Sequence, residues 1–450
     1  MYWISKSIHG LSRLRRRTLI LLAVLGPGII TMVADNDAGG ISTYAQTGAQ
    51  YGFDLLWVFF ILIPMAYYVQ EMTVRLGAVT KRGHAEAIFD AFGSFWGWFS
   101  IFDLALINWL TLVTEYIGMI AAMEIFHVPP WLTFLVVTAI LMGVVLTGKY
   151  WTFEKLTLFF CVFNMVYIPA ALWAMQTGWA PGWSKVLHGF YRPEFPGGFT
   201  APLIMIIMAN IGTTITPWQI FFQQSAVVDK GMDVRDIKFG KIDTFAGSFL
   251  TGLVAIFIII ATSAALYYYP KIPVAGMHSP IDVSTVEDAK GATKLMADLL
   301  PKGVGNWAQA LFAIGLFDAG FLGALCISLS TSWAVGEVCG WAHSLNKSVK
   351  DAPWFYVVYL ATLASAGMVV LLTENEVQKK ITIFVQVVAV TLLPAALTFL
   401  ILLLNDEPLM GDYVNTRWQN IVNWGIVAFV IVISTVFGVS VLFPEWFGVA

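Results

Sequence analysis

Charge is what this chain has least of. Asp, Glu, Lys and Arg make up 12% of its 450 residues, where a soluble domain carries about 25%. A surface that poor in charge excludes an ordinary water-covered globule. Cysteine is also scarce. Cys161, Cys326 and Cys339 fall in or beside apolar runs, with neither the spacing of a metal site nor the number for a disulfide framework. The net charge of −3 offers no basic surface for nucleic acid. No HExxH, phosphate-binding loop or nucleophile constellation occurs, so neither an enzyme nor a cofactor is expected. No cleavable signal peptide is evident, because the apolar stretch after the basic N-terminus runs on into further spans.

What the chain has instead is hydrophobic length. Hydrophobic residues make up 58% of it and the mean hydropathy is +0.76. Apolar runs near 20 residues recur throughout, which predicts an all-α integral membrane protein with the lipid bilayer as its solvent. We read about eleven transmembrane helices, starting near Thr18, Phe53, Phe95, Pro130, Phe153, Ala201, Thr244, Asn306, Trp354, Ile381 and Ile421. The chain reads as one transmembrane domain over 1–450. Its first repeat covers about 18–176, its second about 200–404, and an additional helix about 417–444. The longest loops are 178–199 and 270–303. Most of the 25 lysines and arginines fall on one side if the N-terminus is cytoplasmic, among them Lys6, Arg13, Arg75, Lys81, Lys149, Lys230, Lys241 and Lys347. The positive-inside rule then puts the C-terminus outside.

Two of these spans are interrupted. Span 1 carries Pro27 and then Asp35, Asn36, Asp37, Gly39 and Gly40. Each mid-membrane acid opposes insertion by about 2.5–3.5 kcal/mol. Span 6 carries Gly212, Thr213, Thr214, Ile215, Thr216 and Pro217, and proline cannot donate the hydrogen bond of a continuous helix. Interrupted spans at matching positions of two five-span halves point to an inverted-repeat transporter. Carbonyls freed by unwinding, together with an acid, make a cation cradle.

Segment 26–52, GPGIITMVADNDAGGISTYAQTGAQYG, resembles the first span of the NRAMP divalent-metal transporters without a gap. The family's Asp-Pro-Gly-Asn motif falls on Asp37, Ala38, Gly39 and Gly40. Similar stretches are RLGAVTKRGHAEAI after span 2, the Glu115, Tyr116 and Gly118 pattern of span 3, ALFAIGL in span 8 and QVVAVTLLP in span 10. The resemblance implies a LeuT-like 5+5 inverted repeat with helices 1 and 6 interrupted, working by alternating access in the cell membrane, as a monomer. It places the metal on Asp37, Gly40, Thr213, Thr216 and Ala34. It makes Glu115, Trp218, Gln223 and Gln386 pathway candidates; Asp318, an acid in span 8 where the family is usually neutral, is a further candidate, either lining the pathway or paired in the bundle.

The departures from the family shape the expected substrate. The family's Asn, Met and His become Gly40, Thr216 and Trp218, its second His becomes Gln223, and the span 3 acid becomes Leu112. These changes look like the NRAMP-related magnesium transporter branch. Losing the thioether leaves only oxygen donors, which suit hard cations. Mg²⁺ also keeps several waters when bound, and Gly40 with the missing Met would enlarge the site for them. The transported ion is therefore expected to be Mg²⁺, with Mn²⁺ also accepted. All six histidines, His9, His84, His127, His188, His278 and His343, lie at span ends or in loops. With no His in span 6, uptake is expected to be uncoupled from protons and driven by gradient and voltage, worth about 4.6 kcal/mol per 100 mV for a divalent ion. A proton-coupled Mn²⁺/Fe²⁺ importer of the NRAMP type is the alternative. An organic-cation or amino-acid symporter fits less well, since Asp37 repels a carboxylate. A channel would need a repeated filter. Trp218 is expected to act as a packing plug, and Glu71 to pair with Arg75 one turn on.

Overall fold

In a computed structural model, the structure describes residues 25–269, 286, 288–299 and 303–443. The basic N-terminal stretch with Lys6, His9 and Arg13, the span start near Thr18, and His278 lie outside the described residues. All regular structure among the described residues is helical.

The first crossing is two helices, α1 (Pro27–Val33) and α2 (Ala38–Tyr51). α3 (Trp57–Thr80) follows, then the short α4 (His84–Phe92), the long α5 (Ser94–Ile125) and α6 (Pro130–Leu146). The fifth crossing joins α7 (Tyr150–Cys161) to α8 (Tyr167–Ala174) through a 3-10 turn, Phe163–Val166. α9 (Trp183–Tyr191) occupies the connection to the sixth crossing, which is again two helices, α10 (Ala201–Thr214) and α11 (Pro217–Asp229). α12 (Ile237–Thr262) ends in a π turn, Ser263–Tyr267. α13 (Ala289–Leu299), α14 (Val304–Cys339), α15 (Pro353–Leu372) and α16 (Asn375–Leu404) complete ten crossings. After α17 (Glu407–Met410), α18 (Arg417–Leu442) makes the eleventh.

Nine helical segments among the described residues are long and apolar enough to cross a membrane, with α7–α8 and α10–α11 each taken as one. α6, with 17 residues, reaches about 25 Å at 1.5 Å per residue and sits at the lower bound for a span. The divided α1–α2 crossing makes up the total. Helix starts lie within a few residues of the apolar runs, except for α12 and α16. α12 begins at Ile237 rather than near Thr244 and α16 at Asn375 rather than near Ile381, because each helix carries polar first turns, with Lys238, Lys241 and Asp243 in one and Lys379 and Lys380 in the other, beyond the apolar run.

Burial sorts the crossings. In the sixth, 94% of the most apolar window is buried inside the protein, against 22% in the eleventh. α10 and α11 are therefore the axis of the bundle and α18 an outer helix against lipid. α12 packs along α1, α2 and α3; α14 packs along α5; and α16 packs along α10. The two broken crossings are thus wrapped by continuous helices. Proline explains one break directly. Pro217 begins α11 and has no N–H to give the carbonyl of Thr213. The chain passes through extended geometry at Ile215 and Thr216 before the helix restarts.

Candidate metal site

The break in the first crossing is built from short residues. Ala34 N–H still reaches Ile30 O at 2.9 Å, and Asp35 and Asn36 make loose turns to Met32 and Val33. The chain then extends at Asp37, whose Oδ1 caps α2 by accepting Gly40 N–H at 2.6 Å. Among the described residues, no backbone N–H bonds the carbonyls of Ala34, Asp35 and Asn36. In the second break, Thr216 N–H turns away from the helix to donate to Gln219 Oε1 at 3.1 Å. The carbonyls of Gly212, Thr213, Thr214 and Ile215 are left without backbone donors. Buried carbonyls are rarely left so.

The side chains between the breaks share this state. Asp37 Oδ2, both carboxylate oxygens of Asp35, Thr213 Oγ1, Thr216 Oγ1 and both polar atoms of Gln386 are buried with no hydrogen-bond partner. Gly40 and Thr213 close the gap between the crossings. A Cβ on Gly40 would stand 2.6 Å from Thr213 Oγ1, 3.2 Å from Asp37 Oδ1 and 3.3 Å from the carbonyl of Asp35. The room that Gly40 leaves is therefore taken by the hydroxyl of Thr213, an added oxygen rather than an enlarged void. Gln386 brings its amide to Gly39 in the same way. Glu115, on α5, sits behind the site. Its Oε2 accepts Ala38 N–H at 2.9 Å, and its carboxylate lies beside Asp37.

Ala34, Asp37, Gly40, Thr213, Thr216, Gln386 and Glu115 are thus brought together. Three other candidates are elsewhere. Gln223 points to α12, donating to Thr244 Oγ1 at 2.8 Å. Asp318 faces the fifth crossing, where Asn164 Nδ2 donates to it at 2.9 Å. Trp218 is fully buried and packs edge-to-face with Phe222, with ring centroids 5.9 Å apart; Trp333 and Phe355 continue the column. This column fills the bundle between the site and the end where α1 begins. Glu71 and Arg75 pair at 3.3 Å, and Lys241 joins them at 2.6 Å from Glu71.

Sequence reasoning missed the amide layer. Gln219 Oε1 also accepts from Gln70 Nε2 at 3.3 Å, and the Gln219 amide lies beside Asp35. Thr216 and Gln219 have the Thr-x-x-Gln spacing of a helix start, so that signal was present. Gln70 has no such signature. Asn36 serves as a brace, donating to Thr251 O at 3.3 Å.

At the opposite end, a cavity of about 370 Å³ opens toward the site. Ser42, Gly118 and Leu316 are among its lining residues, and the Lys290–Glu124 ion pair stands at its rim. Gly118 packs on Ala38, the residue after Asp37. Among the described residues, no three His, Cys, Asp or Glu side chains converge to hold a metal by themselves. A cation here must take hydroxyl, amide and carbonyl oxygens as well.

Residues 28–440 match the family described as natural resistance-associated macrophage protein-like. Metal transporter Nramp3 of Oryza sativa subsp. japonica is 25% identical over 434 residues, covering 93% of this chain and 74% of the relative. The divalent metal cation transporter MntH of Listeria monocytogenes is 25% identical over 422 residues, covering 92% and 89%. The crystal structure of the Eremococcus coleocola manganese transporter superposes with a TM-score of 0.76 at 20% identity, covering 98% of this chain and 90% of that one. MhsT in complex with L-phenylalanine aligns with a TM-score of 0.55 at 15% identity, covering 95% and 98%. The architecture is the LeuT-like one that the family resemblance implied. With the family pattern running through both breaks and nearly the whole length, the chain belongs to the NRAMP family.

Proposed function

We propose that this protein is a secondary transporter of divalent metal ions that binds its substrate between the two helix breaks and releases it by alternating access. One observation carries the reading. Where α1–α2 meets α10–α11, fully buried residues carry unpaired oxygens, with Asp37 as the anchoring charge. Buried polar groups are normally paired, and a divalent cation would pair them. Asp37, the carbonyls of Ala34 and Thr213, and the hydroxyls of Thr213 and Thr216 are the proposed ligands, with Gln386 and Glu115 beside them. The cavity past Gly118 is the proposed entry, and the Trp218 column the closed exit. No sulfur or imidazole is in the proposed set, so it favours Mg²⁺ and admits Mn²⁺. We further propose two inverted repeats over about 18–176 and 200–404, a plasma-membrane location, and an N-terminus on the cytoplasmic side with the end where α1 begins. The monomer has all the proposed ligands.

A second reading is a proton-coupled importer of Mn²⁺ or Fe²⁺, the alternative that the family resemblance implies; the manganese transporter named above favours its Mn²⁺ part. Uptake of Mg²⁺ and Mn²⁺ into proteoliposomes, with internal pH followed, separates the two. The first predicts Mg²⁺ uptake without acidification. Metal-dependent acidification with Mg²⁺ excluded would replace it by the second.

A further inference from the structure

The strongest unexplained feature of the molecule is Asp35. It is fully buried in the first break. Neither of its carboxylate oxygens has a hydrogen-bond partner. Its charged neighbour is Asp37, of the same sign, and the uncharged side chains near it are the amide of Gln219 and the phenol of Tyr44. Among the described residues no Lys, Arg or His pairs with it. An isolated buried carboxylate is among the least favourable arrangements a fold can hold, and a second one beside it adds repulsion.

We infer that Asp35 is a second anionic ligand for the transported divalent cation, and that the break carries two carboxylates because the cargo carries two charges. The inference rests on the proposed function above and deepens it. The backbone places Asp35 correctly for this role. Its own carbonyl lies at Gly40, beside Thr213 Oγ1 and Asp37 Oδ1. The Gln219 amide that approaches it comes from the restart of the other broken crossing. Tyr44, also close to Asp35, is tied to the same crossing through Thr214 Oγ1 at 3.2 Å. Asp35 thus faces the gap between the crossings, whereas Asn36, the next residue, turns outward to Thr251 O. A divalent ion between Asp35 and Asp37 matches the charge of that pair of carboxylates. A monovalent ion would leave one negative charge buried. The pair therefore selects by valence, while the oxygen donors select by hardness.

The test uses the full-length protein in detergent and in liposomes. Thermal unfolding is followed while MgCl₂ or MnCl₂ is titrated, for wild type, Asp35→Asn, Asp35→Glu and Asp37→Ala. For Asp35→Asn the expected result has two parts. The metal-free protein unfolds at the same or a higher temperature, because an unpaired buried charge has been removed. The metal concentration at half-maximal stabilisation rises at least tenfold, and the KM for uptake rises with it. Asp35→Glu keeps the charge and recovers part of the loss. A half-maximal concentration within twofold of wild type for Asp35→Asn, with binding abolished in Asp37→Ala, would overturn the role of Asp35 and leave the site standing. Unchanged binding in both variants would overturn the site as well. A lower unfolding temperature for metal-free Asp35→Asn would identify Asp35 as a structural brace and would equally sink the inference.

Discussion

The two ends of α1 are both built on buried acids, and they treat them in opposite ways. At its start, Asp243 of α12 accepts from Gly28 N–H at 2.7 Å, Gly26 N–H at 3.1 Å and Ile29 N–H at 3.3 Å. Lys230, from the end of α11, donates to Leu25 O at 2.9 Å and pairs with Glu154 of α7. Here each carboxylate meets donors or a cation. At the other end, three residues past Met32, Asp35 has neither, and Asp37 satisfies one oxygen of two. An acid that secures a helix end is recognised by full hydrogen bonding. An acid that waits for a substrate is recognised by what it lacks. Only seven residues separate these two conditions, so α1 is a short lever, fixed at one end by protein donors and completed at the other by cargo.

The largest effect should come from removing the anchor at the unsatisfied end. Asp37→Ala is expected to abolish uptake and metal-dependent stabilisation, while the protein still elutes as a single folded species. Residual transport above about 5% of wild type would remove Asp37 from the centre of the comparison. That threshold corresponds to roughly 1.8 kcal/mol, well below the worth of a charged metal ligand.

The satisfied end should answer differently. Asp243→Ala strips three N–H groups of their acceptor and leaves Lys230 and Glu154 to repack. Breaking such a buried charged network costs about 3 kcal/mol, so a marked drop in unfolding temperature is expected. Metal affinity should change by less than about threefold, since Asp243 touches α1 at its far end. Affinity falling as far as in Asp35→Asn would show that the two ends are not separate.

Within the site, Thr216→Met tests the donor type. Thr216 Oγ1 is buried and unpaired, and a thioether there would offer the soft ligand that this chain lacks. The uptake ratio of Mn²⁺ to Mg²⁺ is expected to rise about tenfold, near 1.4 kcal/mol. An unchanged ratio, measured by competition in liposomes, would remove hardness as the basis of selection.

These contrasts also mark what could be read from the sequence. The breaks were legible because proline and paired glycines act on the backbone locally, and so were the crossings, whose apolar length is set by lipid. Asp37 was legible through the motif around it. The part played by Asp35 was not legible, because a sequence records an acid but not whether its oxygens meet donors. That depends on Gln219, brought in from far along the chain, as well as on the nearer Tyr44. Gly40 was read as added room, yet Thr213 fills that room, and only the packing of two crossings could decide it. Asp318 looked like a pathway acid, and its partner Asn164 lies on a crossing that the spacing could not connect to it.

The smallest effect near neutral pH belongs to a buried, uncharged group that is hydrogen-bonded through one ring nitrogen. His84 starts α4, outside the crossings. Its Nδ1 lies 3.0 Å from Gln224 Oε1, and its ring stands edge-on to Phe221 with centroids 4.7 Å apart. Burial pushes its pKa from 6.5 down to about 4. The unfolded chain therefore binds a proton between those values while the folded one does not, and stability is lost as pH falls through that window. At pH 5.5 the loss is about 1.4 kcal/mol relative to neutral pH. His84→Gln keeps an amide partner for Gln224 and removes the titration. Denaturation followed from pH 7.5 to 5 should show a slope in wild type that flattens in the variant, with Mn²⁺ affinity at pH 7.5 the same in both. An equal slope in both proteins would mean that His84 takes up its proton in the folded state, and that this end of the molecule also contains a group waiting for a charge.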